Sequence, residues 1–81
     1  GRAAEGPRNA LAAATARRNE VRAQVGAART ELDALVESAG EVAHDGWADL
    51  MREQIAAVRG TLAASEARLR AAEARMAALR G

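Results

Sequence analysis

Arginine supplies most of the chemistry that this 81-residue chain has to offer. All twelve basic residues are Arg, none is Lys, and eleven Asp and Glu bring the formal net charge to +1. Residues 1–30 and 50–81 each carry six Arg, whereas residues 31–49 carry six acids and no Arg. Because basic side chains that neutralise phosphates release bound counterions, the two basic ends favour binding to a nucleic-acid backbone.

Residues that commonly carry out reactions are few. The chain has no Cys, which excludes thiol catalysis, disulfides and zinc sites built on Cys. His44 is the only histidine, and no second ligand type accompanies it at metal-binding spacing. Ser38 and Ser65 have no histidine near them in the expected fold, and there is no Gly-rich phosphate loop. We therefore expect no enzyme activity, no catalytic residue, no cofactor and no metal site.

Apolar side chains recur at alternating spacings of three and four, which is typical of the a and d positions of a coiled coil. We call these positions the seam. Alanine, arginine, glutamate and leucine are strong helix formers, so local propensity agrees with the pattern. The predicted fold class is all-α, with two long helices. The seam residues are Leu11, Ala14, Arg18, Val21, Val25, Ala28, Leu32, Leu35, Ala39 and Val42 in the first helix, and Met51, Ile55, Val58, Leu62, Ser65, Leu69, Ala72, Met76 and Leu79 in the second.

A short glycine-containing break separates the two runs and predicts an antiparallel hairpin. Gly40 or Gly46 can supply the left-handed residue that ends a helix. A turn centred near Asp45 places Ala28 opposite Leu62, while a slip of one heptad toward the turn is the alternative register. The expected organisation is one domain over residues 1–81, with the first helix at about 8–40 after Gly6-Pro7, the turn at about 40–46 and the second helix at about 47–80.

Six arginines fall at the e positions of this heptad frame. Since the e positions of antiparallel helices line the same side of the hairpin, we name this side the arginine edge. Only Glu66 and Glu73 interrupt it, and Arg22 is placed to pair with Glu66. The arrangement predicts a surface for a phosphate backbone, and the alternative is a solvated flank. The six residues are Arg8, Arg22, Arg29, Arg52, Arg59 and Arg80.

Two stretches resemble the N-terminal coiled-coil arm of bacterial seryl-tRNA synthetases. Residues 17–28, Arg-Arg-Asn-Glu-Val-Arg-Ala-Gln-Val-Gly-Ala-Ala, are similar to the first arm helix, and residues 67–79 look like the returning helix. The resemblance spans about residues 8–80. It implies a cytoplasmic, non-catalytic hairpin that grips the long variable arm of a tRNA. The residues that it places on the tRNA backbone are Arg18, Arg22, Arg29 and Arg59. Arg18 is also a seam position, where setting the register is its first role and RNA contact its second.

The region near the turn supports a different interpretation, a protein-interaction hairpin. Residues 35–42 followed by Trp47 are similar to the hairpin tip of periplasmic membrane-fusion (adaptor) proteins. Val36, Trp47 and Leu50 form the predicted contact surface, although Trp47 is also placed to cover the end of the seam. The partner is either a second copy, giving a homodimeric four-helix bundle, or a larger assembly. We expect no membrane insertion, because no run of 18 or more apolar residues exists.

Overall fold

A computed structural model describes the backbone of residues 2–41 and 45–81, and the side chains of residues 6–41 and 46–81. It contains two α-helices, α1 over Arg2–Glu41 and α2 over Asp45–Arg80. No strand occurs in these ranges. The all-α fold class predicted from the sequence is confirmed.

The two helices lie side by side and form a hairpin. At 1.5 Å per residue they are about 60 Å and about 54 Å long. Both fit into a molecule that measures 66 × 14 × 14 Å, which requires them to overlap along nearly their whole length. Because only residues 42–44 separate them, they run antiparallel. The molecule is therefore a thin rod with one layer of contact between two helices.

The predicted seam is the contact between the helices. Every seam residue in the described ranges is buried or half-buried, and every outward b, c and f position is exposed. The deepest are Val21, with 0% of its surface exposed, and Ser65, with 1%. Period-3.5 spacing thus identified the buried face residue by residue. The buried positions among the described residues are Ala14, Val21, Val25, Ala28, Ser65 and Met76.

Contacts on the two sides of the seam fix its register. On one side the Arg29 Nη2 atom lies 3.1 Å from the Glu66 Oε2 atom. On the other side Ala28 and Ser65 line the same open groove. Both contacts agree with the register in which residues 24–31 lie beside residues 61–68. The slipped register would instead oppose Ala28 to Ile55, about 15 Å along the rod from Ser65.

The first helix begins earlier than its predicted start near residue 8. It extends back to Arg2 and includes Pro7 in its second turn. Proline removes one backbone hydrogen bond there, but its ring is exposed and displaces nothing in the seam. The residues ahead of it, Ala-Ala-Glu at 3–5, have high helix propensity and continue the helix upstream.

The glycines near the turn do not end the helices. Gly40 lies inside α1 and Gly46 inside α2, and no described glycine has a positive φ, so the prediction of a left-handed glycine cap is wrong. Both glycines are exposed, so the structure accommodates them as outward positions of regular helix. Residues 42–44, the centre of the predicted turn, lie outside the described residues, and so does His44.

Replacing one seam valine and one outward valine by alanine should separate burial from helix propensity. Val21 is fully buried, whereas Val36 is 47% exposed, and both lie within α1. The two changes gain the same helix propensity, so their difference measures the seam. We expect Val21→Ala to cost about 2 kcal/mol more than Val36→Ala in urea unfolding followed by circular dichroism. Equal losses in the free energy of unfolding for the two variants would contradict the burial of Val21 in the seam.

Exposed glycines within the helices lower the stability of the rod. A Cβ atom added at Gly26 or Gly60 meets nothing within 4 Å. Since alanine is a better helix former than glycine, Gly26→Ala and Gly60→Ala should each raise the free energy of unfolding by about 0.5–1 kcal/mol. Gly81→Ala is the control that should bring no gain, because Gly81 follows the last helical residue and an added Cβ atom there meets the Ala77 carbonyl oxygen at 3.3 Å. A loss of stability at Gly26 or Gly60 would show that another surface approaches there.

Candidate nucleic-acid interface

The structure places the e positions of both helices on one side of the rod. Arg29 and Glu66, which are e residues of α1 and α2, are in direct contact. The arginine edge is therefore a continuous surface made by two helices. Its six arginines are all exposed, namely Arg8, Arg22, Arg29, Arg52, Arg59 and Arg80.

Two arginines of this edge have carboxylate partners. Arg29 pairs with Glu66 across the helices at 3.1 Å, and its side chain stays 61% exposed. Arg52 pairs with Asp49 on its own helix at 2.6 Å and is 73% exposed. Arg22 forms no ion pair with any described side chain. Several guanidinium groups on this edge therefore reach solvent and are accessible to a large anion.

The predicted pairing of Arg22 with Glu66 is wrong, and the direction of side chains on a helix explains why. Side chains lean toward the N-terminus of their own helix. In the observed register Arg29 leans along α1 toward the level of Glu66, and Glu66 leans along α2 toward Arg29. Arg22 leans away from Glu66. Sequence spacing placed both residues on the correct edge, but it selected an arginine one heptad away from Arg29, the one that contacts Glu66.

Arg18 differs from the other predicted tRNA contacts because it lies in the seam. Its side chain is half-buried, and its Nε atom donates a hydrogen bond to the Asn19 Oδ1 atom at 2.8 Å. Position 19 is on the side of α1 that carries the e residues, so this bond turns the Arg18 guanidinium toward the arginine edge. Arg18 therefore lies next to the surface that carries Arg22, Arg29 and Arg59.

The g positions of both helices form the other side of the rod, which we name the opposite edge. An open groove runs along its middle, lined by Ser65, Arg68 and residues of α1 from 24 to 31. The Arg68 Nη2 atom donates to the buried Ser65 Oγ atom at 2.9 Å. Arg17, on the same edge, lies 3.6 Å from Glu20. This second set of basic residues was not predicted, although g-position spacing identifies Arg17, Arg68 and Arg75.

The structure divides the predicted protein-interaction surface. Val36, Trp47 and Leu50 are 47%, 57% and 44% exposed. Val36 is an e residue and lies on the arginine edge. Trp47 is a g residue on the opposite edge, and Leu50, three residues further along α2, is its neighbour. Trp47 keeps more than half of its surface in solvent, and Val42, the end of the seam that it is predicted to cover, lies outside the described residues.

Charge is separated along the rod. Residues 31–59, the tip half, carry seven acids and two arginines, a net charge of −5. The remaining residues, the base half, carry ten arginines and four acids, a net charge of +6. The arginine edge is thus most attractive to anions where it runs along the base half, from Arg8 and Arg80 to Arg29, with Arg59 at the border of the tip half.

Fold and charge together define the class of molecule, an antiparallel two-helix hairpin with a basic edge. No protein-family model, no curated protein and no solved structure matches the chain. Within residues 2–41 and 45–81, no group of three or more His, Asp or Glu is arranged to hold a metal ion. Neither α1 nor α2 is long and apolar enough to cross a bilayer.

A double-mutant cycle tests the contact across the helices. Arg29→Ala and Glu66→Ala should show a coupling of about 0.2–1 kcal/mol in the free energy of unfolding, the range of exposed ion pairs. The control cycle, Arg22→Ala with Glu66→Ala, should show no coupling. A larger coupling for the control pair would contradict the observed contact of Arg29 with Glu66.

Proposed function

We propose that this chain is a non-catalytic hairpin that binds the backbone of a tRNA along the arginine edge. The observation that carries the proposal is the alignment of six exposed arginines on one side of a rod 66 Å long. Arginine donates hydrogen bonds from a planar fork that fits phosphate oxygens. Each neutralised phosphate also releases counterions, which makes such binding strong at low salt.

The binding region extends along the base half of the rod. Arg22 lies there and Arg59 lies at its border with the tip half, both without an ion pair to any described side chain, and Arg18 is turned toward them. Arg29 contacts Glu66, but this pair is exposed, and such pairs contribute only about 0–1 kcal/mol. A phosphate can therefore replace the carboxylate at low cost. The acidic tip half repels RNA and confines it to the base.

Recognition on this edge reads the backbone and not the bases. Base-specific binding of single-stranded RNA uses aromatic side chains on which bases stack. The chain has one aromatic residue, Trp47, which lies on the opposite edge. The hairpin accordingly recognises the shape and phosphate spacing of a helical RNA arm.

Binding to a tRNA with a long variable arm, measured by fluorescence anisotropy at several salt concentrations, tests this function. Replacing Arg22 and Arg59 together by Ala should weaken binding by roughly tenfold or more and lower the salt slope by about 2. Arg17→Ala with Arg75→Ala is the matched control, because it removes the same charge from the opposite edge. Equal losses in both variants, or no binding by the wild-type chain, would contradict the proposal.

The choice of RNA tests the likeness to a seryl-tRNA synthetase arm, which rests on residues 17–28 and 67–79. A hairpin of that kind prefers a tRNA with a long variable arm to one without it. Equal affinity for both tRNAs would leave a general RNA-binding rod and remove the synthetase-like role.

One observation favours a second function, association with protein. Trp47 and Leu50 are adjacent, exposed and apolar on the opposite edge. A large exposed aromatic residue beside an aliphatic one is a common anchor of protein interfaces. The candidate partners are those considered above, a second copy of the chain or a larger assembly of the adaptor type.

A further inference from the structure

We propose that two copies of this chain associate antiparallel through their opposite edges, with the tip half of each hairpin against the base half of the other. The edge carries unlike groups at its two ends. Glu31, Glu41 and the Trp47–Leu50 pair lie toward the tip, and Arg17, Arg68 and Arg75 lie toward the base. A second copy of this surface, turned end for end, therefore presents opposite charges to the first.

Charge selects the antiparallel alignment. A parallel pair would bring acid against acid at the tip and arginine against arginine at the base. Reversing one copy places each acidic tip, which has a net charge of −5, beside a base half with a net charge of +6. A two-fold axis repeats every favourable contact, so the interface closes as a dimer and does not continue into a filament.

Two pairs of complementary groups agree on one symmetry axis. On α1 the midpoint between Arg17 and Glu41 is residue 29. On α2 the midpoint between Trp47 and Arg75 is residue 61. The register that places residues 24–31 beside residues 61–68 sets these two midpoints at the same level of the rod. One two-fold axis thus brings Glu41 to Arg17 and Trp47 to Arg75 at the same time.

Local shape at this axis favours close approach. The axis crosses the open groove of the opposite edge, where Ala27 and Ala28 provide small side chains. Small residues let helices come near to one another. Toward the ends, the Trp47 ring meets an arginine, a pair that gains cation–π attraction, and Leu50 meets the exposed Ala71.

This dimer leaves the arginine edge accessible, because the e residues lie on the far side of the seam. Self-association and RNA binding are thus separate properties of the chain. Variants of one edge should leave the other property unchanged, so a failure of either proposal is distinguishable from a failure of the other.

Charge exchange between two variants tests the dimer. The base variant carries Arg17→Glu and Arg75→Glu, and the tip variant carries Glu31→Arg and Glu41→Arg. All four side chains are exposed, so both variants should fold, which circular dichroism checks. By sedimentation equilibrium we expect the wild-type chain to show twice its mass of 8.4 kDa. Each variant alone should dimerise at least roughly tenfold more weakly than the wild type, and an equal mixture should dimerise at least roughly tenfold more tightly than either variant alone.

The mixture is decisive because it restores opposite charges at both ends of the interface. Recovery of the dimer only in the mixture supports the antiparallel contact. A monomeric wild-type chain, variants that dimerise as well as the wild type, or a mixture that stays monomeric would each overturn it. Arg22→Glu with Arg59→Glu, on the arginine edge, is the control and should leave the dimer intact.

Discussion

Two helices with no third layer can bury only the side chains that face each other, and this constraint governs the whole molecule. The seam takes up nearly all the large apolar residues, while alanine allows the helices to approach closely. The outward b, c and f positions of the described residues stay in solvent, because a rod 14 Å wide has no interior beyond its seam. The seam also sets the register, and the register decides which side chains of α1 and α2 become neighbours on each edge.

The heptad pattern predicted the fold, the seam and the arginine edge, and the same spacing contains the opposite edge, since these depend only on residue spacing along a regular helix. Three details depended on geometry that spacing does not contain. Arg29 contacts Glu66 in place of Arg22 because side chains lean along their own helices. The first helix continues through Pro7 because an exposed proline costs little there. Trp47 stays exposed because its heptad position faces the edge and not the end of the seam.

The two edges divide the chemistry of the rod. The arginine edge offers guanidinium groups without aromatic neighbours, an arrangement suited to a phosphate backbone. The opposite edge combines a tryptophan and acids near the tip with arginines near the base, an arrangement suited to a second copy. Both edges follow from one register. A shift of one heptad would move the residues of α2 about 10 Å along α1 and change which residues of the two helices are neighbours on each edge.

The arrangement of both edges depends on the register of the seam, which nuclear Overhauser contacts between the helices measure directly. Isotope filtering restricts the spectrum to contacts within one chain. The Ala28 methyl group should show contacts to protons of Ser65 and Leu62. Contacts from Ala28 to Ile55 in their place would establish the slipped register and contradict the arrangement of both edges.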